Sequence, residues 1–388
     1  MFKVLTLNNI SVAGLERFPR RDYEVASEVS RPDAILLRSF DLHRYAFPEG
    51  LRAVARAGAG VNNIPVSALT ELGVPVFNAP GANANAVKEL VLAGMLIAAR
   101  NVAPAWDFVR EQAEHDPSAL ERTVEAGKKR FVGFELPGRT LGVLGLGAIG
   151  LRVANAALGL GMKVIGYDPG LTVTSAWQLS SEVEKAASLE ALLQRSDLLT
   201  LHIPLIDETR ALINAARIRL MKPGAILLNF ARAGIVDSDD VRDAVVNGHL
   251  RSYVCDFPTQ ALMNCPGVIA LPHIGASTQE AEDNCAMMVV DSLRTFLEDG
   301  NVDHSVNFPE ASMPRTDGFR LTIANRNIPN MVGQMSTTLA EANLNIVDML
   351  NKSRGDVAYT LIDVDQPIET TVLERLASIE GVLSVRTL

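Results

Sequence analysis

A chain of 388 residues is long enough for about two or three domains, and a hydrophobic share of 48% with a charged share of 21% is ordinary for a globular protein. The formal net charge of −9 excludes a general affinity for nucleic acid or anionic membrane, and no run of about 20 apolar residues predicts a membrane span. Three irregularly spaced cysteines exclude a disulfide framework and a zinc site, which favours a cytoplasmic protein that holds no metal.

The first 80 residues alternate short apolar runs with helical stretches, a pattern typical of an α/β unit. Arg38 and Ser39 follow one predicted strand, and Arg56 lies at the end of another. Ligands of open α/β sheets lie beyond the carboxyl ends of strands, so both arginines are candidates to bind an anion, although a surface arginine explains either one equally well. The predicted strands span residues 2–7, 34–37, 53–57 and 74–77, and a helix is predicted over residues 66–72.

A long helix is predicted to begin near Asn85, just after Asn83, and to continue to about residue 100. Val87, Val91 and Met95 fall on one stripe, which predicts that the helix is buried along its length. A polar helical stretch is predicted to follow over residues 103–129.

Residues 140–168 predict one strand-helix-strand unit with a glycine-rich turn. The strand at residues 141–144 runs into Gly145, Gly147 and Gly150, and a second strand at residues 163–167 ends on Asp168. We interpret Gly145 as the tight turn, Gly147 as room for a pyrophosphate with Ala148 and Ile149 beside it, and Gly150 as close helix-strand packing. A carboxylate at the position of Asp168 accepts hydrogen bonds from a ribose and repels a 2′-phosphate, so the pattern predicts NAD rather than NADP.

The alternation of strands and helices continues beyond Asp168 and predicts a doubly wound parallel sheet of six strands. Further strands are predicted at residues 198–202, 225–229, 252–256 and 268–271, and helices at residues 189–194, 215–220 and 238–246. A helix over residues 278–299 is predicted to lead back to the first domain.

Residues 301–318 contain Pro309, Pro314 and Gly318 without periodicity, which predicts a linker. The last 70 residues have the order strand, helix, strand, strand, helix, strand, and this βαββαβ order predicts a ferredoxin-like module. The predicted elements span residues 319–325, 329–342, 345–352, 356–363, 369–378 and 382–387.

Two predicted strand ends of the nucleotide-binding sheet carry reactive groups. Arg232 follows the strand that ends at Asn229, and His273 follows the last strand. Transfer of hydride from a 2-hydroxy acid requires a base for the hydroxyl proton and a cation for the carboxylate, and these residues are the right types. His202 also ends a strand, but Pro204 follows closely and favours loop packing.

The glycine-rich unit, the run LNFARAGIVD that ends at Asp237, and the run PHIGAST that contains His273 together closely resemble the D-isomer-specific 2-hydroxyacid dehydrogenases. The runs RAGAGVNN and FNAPGANANAVKEL and the C-terminal module resemble the members that oxidise 3-phosphoglycerate with NAD to 3-phosphohydroxypyruvate, at the entry to serine synthesis. The resemblance implies a Rossmann domain at residues 91–275, inserted in a flavodoxin-like substrate-binding domain at residues 1–90 and 276–305. It further implies catalysis in the cleft, a linker at residues 306–317, and an ACT domain at residues 318–388 that binds L-serine.

The resemblance also assigns site residues and an assembly. His273 is implied as the acid/base with Gln260 at its partner position, Arg232 as the group that binds the substrate carboxylate, and a homodimer or homotetramer as the assembly. The implied cofactor contacts are the glycine-rich turn Gly145, Gly147, Ala148, Ile149 and Gly150 with Asp168, His202, Phe230, Ala231, Asp256 and Gly275. The implied substrate contacts are Arg38, Ser39, Arg56 and Asn83, and the implied effector contacts are Asn325, Asn327 and Asn345.

This sequence departs from the family pattern at several of these positions. Gln260 stands where an acidic residue usually pairs with the histidine, and Cys255 replaces an aspartate near the nicotinamide, although Asp256 is adjacent. Asn330 replaces a glycine, which asparagine can do in a turn with positive φ, and Asn325 stands where a histidine is common.

Two other functions fit the same features. A reductase of glyoxylate, hydroxypyruvate or another 2-oxo acid would use the same scaffold, but Arg38 together with Arg56 favours a phosphorylated substrate. The third hypothesis is an NAD-responsive binding protein with weak catalysis, which Gln260 suggests and which the presence of His273 and Arg232 opposes.

Overall fold

The structure is a computed structural model that describes residues 1–112 and 117–388. The chain divides into two compact units. Unit 1 consists of Met1–Asn83 and Thr278–Leu388, and unit 2 consists of Ala84–Ser277. The domain boundaries given by the family resemblance stay a prediction.

The strands of the described residues are, in chain order, β1 (Phe2–Leu7), β2 (Tyr23–Ala26), β3 (Ala34–Leu37), β4 (Ala53–Arg56), β5 (Val76–Phe77), β6 (Thr140–Leu144), β7 (Lys163–Tyr167), β8 (Glu184–Lys185), β9 (Leu198–Leu201), β10 (Ala225–Asn229), β11 (Leu250–Cys255), β12 (Val268–Ala270), β13 (Phe319–Arg326), β14 (Ile346–Arg354), β15 (Val357–Val364) and β16 (Val382–Thr387).

The α-helices of the same residues are α1 (Val12–Leu15), α2 (Val66–Glu71), α3 (Ala84–Ala99), α4 (Val102–Arg110), α5 (Pro117–Gly127), α6 (Gly150–Gly159), α7 (Val173–Gln178), α8 (Leu189–Arg195), α9 (Ala215–Ile218), α10 (Ser238–Val246), α11 (Gln279–Asp299), α12 (Met331–Glu341) and α13 (Thr370–Ala377).

The N-terminal sheet of unit 1 is parallel, with strand order β2-β1-β3-β4-β5. This order is the flavodoxin-like order, so the fold class implied for this segment is confirmed. Strand β2 and helix α1 were not predicted. Strand β2 carries Glu24 in its short run, and α1 is one turn that Ser11 caps by accepting a hydrogen bond from the Ala13 N–H, so neither has a clear hydrophobic period.

The sheet of unit 2 is parallel, with strand order β12-β11-β10-β9-β6-β7-β8, and the doubly wound fold is confirmed. The strand order reverses between β6 and β9, which is where such sheets bind dinucleotides. The prediction of six strands was wrong by one, because β8 is an exposed two-residue edge strand, Glu184–Lys185, without apolar residues.

The predicted polar helical stretch at residues 103–129 is interrupted. It contains α4, α5 and a 3₁₀ turn at Lys128–Phe131, and residues 113–116 of the predicted stretch lie outside the described residues. The preceding helix α3 buries Val87, Val91 and Met95 against the parallel sheet, as its stripe predicts, while Leu90 is half-buried.

The C-terminal module has an antiparallel sheet with strand order β14-β15-β13-β16, and its βαββαβ order confirms the predicted ferredoxin-like fold. One face of this sheet packs on α12 and α13 through residues such as Met335 and Leu376. The other face contributes Ala324, Tyr359 and Leu361 to a core shared with α11. The face of the sheet that is not covered by α12 and α13 therefore packs against the rest of unit 1.

The segment at residues 301–318, predicted to be a linker, forms no helix or extended strand but is packed. Asn307 accepts a hydrogen bond from the Val76 N–H at 2.8 Å and donates one to the Val74 carbonyl at 3.0 Å. Phe308 is fully buried beside Tyr359. The segment is therefore fixed to the body of unit 1, which its sequence does not indicate.

Candidate active site

The glycine-rich turn after β6 has the conformation that its sequence predicts. Gly145 has a φ of 90°, and a Cβ atom there would lie 2.5 Å from the His202 carbonyl oxygen. A Cβ atom on Gly150 would lie 1.9 Å from the Gly145 carbonyl oxygen, whereas one on Gly147 would meet nothing within 4 Å. The tight turn at Gly145 and the close packing at Gly150 are therefore confirmed, and the approach of a pyrophosphate at Gly147 stays a prediction.

The start of α6 fits a phosphate group. In the described residues Ile149 precedes the helix without a capping side chain, and Gly147 and Ala148 are exposed. An uncapped helix N-terminus presents N–H groups and the positive end of the helix dipole to an anion. This cradle fits the pyrophosphate of a dinucleotide.

Asp168 lies directly after β7, beside the glycine-rich turn. Its carboxylate accepts hydrogen bonds from the N–H groups of Leu146 and Gly170, each at 2.8 Å. The half-buried carboxylate thus braces the turn, and its position one strand away from β6 is the one predicted for a ribose contact.

His202 follows β9 and forms part of the packing under the glycine-rich turn. Its Nε2 lies 2.9 Å from the Thr200 hydroxyl, and its Nδ1 is buried without a partner among the described residues. Burial lowers the pKa of His202 to about 3, so the ring is neutral at physiological pH. Loop packing accounts for these contacts, and the cofactor contact stays a prediction.

Asn229 organises the turn that carries Arg232. It is fully buried at the end of β10, where its amide donates to the Arg232 carbonyl oxygen at 2.9 Å and its Oδ1 accepts from the Ala231 N–H at 3.1 Å. Arg232 is exposed and donates to the Ala231 carbonyl at 2.7 Å. The side chain of Phe230 is buried beside Gly94. Only the main chain of Phe230 is therefore a candidate for contact with a cofactor.

Asp256 holds the loop that carries His273. Its buried carboxylate accepts hydrogen bonds from the Ile274 N–H at 2.8 Å and the Gly275 N–H at 2.7 Å. His273 is exposed, has a φ of 58° and lies with its ring 4.8 Å from the ring of Phe257. A left-handed histidine is uncommon, and such strain concentrates where the surrounding structure fixes a functional side chain.

Gln260 begins a short 3₁₀ turn, Gln260–Leu262, and its side chain is exposed. In the part of the chain that the structure describes, no hydrogen bond joins it to His273. Its role as partner of the histidine therefore stays a prediction, and Asp256 is the carboxylate that contacts the loop of His273 through the backbone.

Replacing Asp256 with asparagine is expected to lower kcat by about 10²-fold, because an amide can accept only one of the two N–H hydrogen bonds and the loop of His273 shifts. The free energy of unfolding should fall by about 1 to 3 kcal/mol, since a buried donor loses its partner. Steady-state kinetics and urea denaturation measure both effects. Asp243→Asn, on the exposed face of α10, is the control, and an unchanged kcat in Asp256→Asn would contradict the positioning role.

The predicted substrate residues of unit 1 lie at one edge of its parallel sheet. Leu37 pairs with Arg56, so Arg38 and Arg56 end neighbouring strands on the same side. Arg38 forms an ion pair with Glu282 of α11 at 2.7 Å, and the Ser39 N–H donates to Asn8 Oδ1 at 3.1 Å. Glu282 and Asn8 were not predicted from the sequence, because no local pattern marks contacts between residues so far apart in the chain.

Arg56 and Asn83 are both half-buried. The guanidinium of Arg56 lies over the backbone of Gly58, where a Cβ atom would be 2.4 Å from its Nη1. Asn83 is the last residue of the N-terminal segment of unit 1, directly before α3. Their contacts with substrate stay predictions.

The three predicted effector asparagines are not brought together within one chain. Asn325 is buried and donates to the Arg326 carbonyl at 2.7 Å, and Asn327 donates to the Gly355 carbonyl at 3.0 Å. Asn345 precedes β14 at the opposite end of the sheet, where its N–H donates to Asp365. Asn330 has a φ of 67°, which is the conformation that the replacement of glycine by asparagine predicts.

Among the described residues no group of His, Cys, Asp and Glu side chains is arranged to hold a metal ion. In the same residues, no helix is both long and apolar enough to cross a membrane.

Comparisons with known proteins agree with this geometry. Residues 92–275 match the model of the D-isomer specific 2-hydroxyacid dehydrogenase NAD binding domain. The D-3-phosphoglycerate dehydrogenase of Haemophilus influenzae is 33% identical over 341 residues, which cover 85% of this chain and 79% of that protein. The chain belongs to the D-isomer specific 2-hydroxyacid dehydrogenase family. It is an NAD-dependent oxidoreductase, and its NAD-binding domain is the one built on the glycine-rich turn.

Other members of the family extend the comparison. The D-3-phosphoglycerate dehydrogenase of Methanocaldococcus jannaschii is 34% identical over 342 residues, which cover 87% of this chain but only 60% of that longer protein. The structure of the NAD⁺-bound 3-phosphoglycerate dehydrogenase of Entamoeba histolytica has a TM-score of 0.61, is 24% identical, and covers 79% of this chain and 98% of that one. At this identity the likeness shows the dehydrogenase fold.

Proposed function

We propose that this chain oxidises 3-phospho-D-glycerate to 3-phosphohydroxypyruvate with NAD, the first step of L-serine biosynthesis. The observation that carries the proposal is the pair Arg38 and Arg56 at the carboxyl ends of neighbouring strands. A phosphate needs cations beyond the one that binds the carboxylate, and arginine forks match phosphate geometry. The relatives named D-3-phosphoglycerate dehydrogenase support the same substrate.

The residues proposed to perform the hydride transfer lie in unit 2. Arg232 binds the substrate carboxylate, and His273 accepts the proton of the 2-hydroxyl group during oxidation and returns it during reduction. Bound NAD supplies the hydride acceptor, and Gly147, α6 and Asp168 are the residues that would hold it. Asn229 and Asp256 fix the two turns that carry Arg232 and His273.

Replacing Arg56 with methionine is expected to raise KM for 3-phosphoglycerate by about 10- to 150-fold, because a charge-assisted hydrogen bond of about 1.5 to 3 kcal/mol is lost. KM for an unphosphorylated D-2-hydroxy acid should stay near its parent value. NADH formation with both substrates measures the difference, and Arg52→Met, an exposed arginine before the same strand, is the control. Equal losses on both substrates would contradict the phosphate role and with it the proposed substrate.

A reductase of hydroxypyruvate, glyoxylate or another 2-oxo acid is the second candidate. The ion pair of Arg38 with Glu282 favours this second function, since one of the two arginines proposed to bind phosphate is already paired with a carboxylate. NADH-consumption assays with a panel of unphosphorylated 2-oxo acids, run beside 3-phosphohydroxypyruvate, separate the two functions by kcat/KM.

We further infer that the C-terminal module is an ACT domain that binds L-serine between two chains. Asn327 and Asn345 lie at opposite ends of the sheet, whose strands are about 24 Å long. The two side chains of one module therefore cannot contact the same small ligand. Strand β14 is an edge strand with mostly exposed side chains, so it can pair with β14 of a second copy. If the two strands run in opposite directions, Asn327 of one copy lies near Asn345 of the other. The proposed assembly is a homodimer or homotetramer.

L-Serine is expected to bind the full-length protein in calorimetry, with D-serine as the matched control ligand. Asn327→Ala and Asn345→Ala should each weaken binding by about five- to tenfold, because each removes a side-chain amide contact. If another L-amino acid binds and serine gives no heat of binding, the module is a sensor of that amino acid and the assignment of serine as its ligand is wrong. Retained serine binding in both variants would contradict the two-chain site.

We also propose a cytoplasmic location. Cys255, Cys265 and Cys285 are all free thiols in the structure, and free thiols suit a reducing compartment. Fractionation of the native host with an activity assay is the direct test.

A further inference from the structure

The proposed phosphate site contains an acid that was not predicted from the sequence. Glu282 lies in the first turn of α11, and its Oε1 is 2.7 Å from Nη2 of Arg38. Both side chains are 37% exposed, so the pair lies at the surface of unit 1 and an anion from solvent can reach it.

Glu282 is selectively placed among the acids of this turn. Its neighbour Asp283 accepts hydrogen bonds from the Ser11 hydroxyl and the Gln279 amide, so that carboxylate is engaged within the protein. Glu280 is exposed and has no ion pair within the described residues. Glu282 is the first-turn acid whose carboxylate pairs with Arg38, at the end of β3.

The charges of the two arginines and of Glu282 act on the same residue of α11. Burial raises the pKa of the Cys285 thiol, one turn after Glu282, and the charges of Arg38, Arg56 and Glu282 all act on this thiol. The guanidinium groups therefore contribute two positive charges and Glu282 one negative charge to the same small region. An open depression of about 560 Å³ adjoins Arg38 and Glu282 and is lined also by Asn9 and Ser11.

We propose that Glu282 is a specificity-determining residue that stays ion-paired with Arg38 until a phosphate dianion displaces its carboxylate. This inference rests on the proposed function. A substrate with a terminal hydroxyl or methyl group leaves the pair intact. A substrate with a terminal carboxylate only exchanges one carboxylate for another at Arg38, so the net gain is small. A phosphate has two charges and three terminal oxygens, which satisfy Arg38 and Arg56 together.

Removal of the charge should weaken this discrimination. Glu282→Gln keeps the size of the side chain and the helix but leaves Arg38 without its carboxylate. Affinity for any terminal anion should then rise, and it should rise most for a monoanion, which in the parent has to compete with Glu282. The chemical step should be unaffected, so KM changes while kcat does not.

The experiment uses the full-length protein and inorganic phosphate as the probe, with phosphate binding measured as competitive inhibition and by calorimetry. Glu282→Gln is expected to tighten phosphate binding by about two- to fivefold. Glu280→Gln removes an acid from the same helix turn and is the matched control, with no expected change. In an Arg38→Met background, Glu282→Gln should no longer tighten phosphate binding.

The substrate readout is the ratio of KM values for D-malate, which has a terminal carboxylate, and 3-phosphoglycerate. Glu282→Gln should lower this ratio by about twofold at unchanged kcat. Unchanged phosphate binding in Glu282→Gln, or an equal change in Glu280→Gln, would overturn the inference. If 3-phosphoglycerate is not oxidised while Glu282→Gln still tightens phosphate binding, the inference about Glu282 survives and the proposed function fails.

Discussion

Replacing His273 with asparagine is expected to lower kcat for oxidation by about 10²- to 10⁴-fold, because the proposed general base is removed. Asparagine is the informative replacement, since His273 has a φ of 58° and asparagine adopts this left-handed conformation more readily than most residues. The loop that Asp256 holds should therefore keep its backbone. Stopped-flow measurement of NADH formation gives the rate, and quenching of protein fluorescence gives NAD affinity, which should be unchanged.

The control for this variant is His249→Asn. His249 precedes β11 at the amino edge of the sheet, where its Nε2 donates to the Ile218 carbonyl at 2.9 Å, whereas His273 lies beyond the carboxyl edge. A kcat of His273→Asn within tenfold of the parent value would mean that another group accepts the proton. Gln260→Glu in the same assay tests whether residue 260 reaches the ring, since a nearby carboxylate favours the protonated imidazole and would move the pH profile of oxidation upward.

The parts of the site that the sequence predicted correctly are those with a local signal. The turn at Gly145 and Gly150 is set by steric demands within a few residues, so the glycine spacing alone predicts its backbone. Parallel strands such as β3 and β10 are buried at every position and appear as continuous apolar runs. The parallel arrangement of the strands then follows from the regular alternation of strands and helices.

The parts that were missed depend on contacts between distant residues. Asn229 and Asp256 could be found in the sequence as polar residues at strand ends, but their hydrogen bonds to turns become visible only in the structure. Glu282 is separated from Arg38 by most of the chain, and an acid in the first turn of a helix is ordinarily explained by the helix dipole. The packing of residues 301–318 was missed for the same reason, because a segment without periodicity carries no sign of its partners.

Arg320 is the buried charge that the strand pattern did not reveal. Its side chain is 0% exposed and that of Asp363 is 1% exposed, with two hydrogen bonds at 2.7 and 2.8 Å between neighbouring strands β13 and β15. The same guanidinium donates to the carbonyl groups of Asp299, Met313 and Pro314. Arg320 thus joins the module to the end of α11 and to the segment that was predicted to be a linker.

Replacing Arg320 with methionine is therefore expected to lower the free energy of unfolding by about 3 to 5 kcal/mol, because a buried carboxylate and three carbonyl groups lose their donor. Arg320→Met/Asp363→Leu should recover part of the loss, since no buried charge then remains. Arg375→Met is the control in the same module, because Arg375 and Glu341 form an exposed pair that should contribute at most about 1 kcal/mol. Urea denaturation followed by circular dichroism measures all three variants.

The effect of Arg320→Met should depend on pH in a definite direction. Burial would raise the pKa of Asp363, but hydrogen bonds from Arg320 and Thr316 outweigh it and hold this pKa below its ordinary value of 3.8. A carboxyl group whose pKa is lowered by folding stabilises the protein above the unfolded value, and this contribution is lost as the pH falls through the folded value. The difference between parent and Arg320→Met should therefore be largest at neutral pH and should shrink as the pH falls below about 4. A difference that stays constant between pH 7 and pH 3 would show that packing around the methylene groups of Arg320, rather than its charge, holds the module in place.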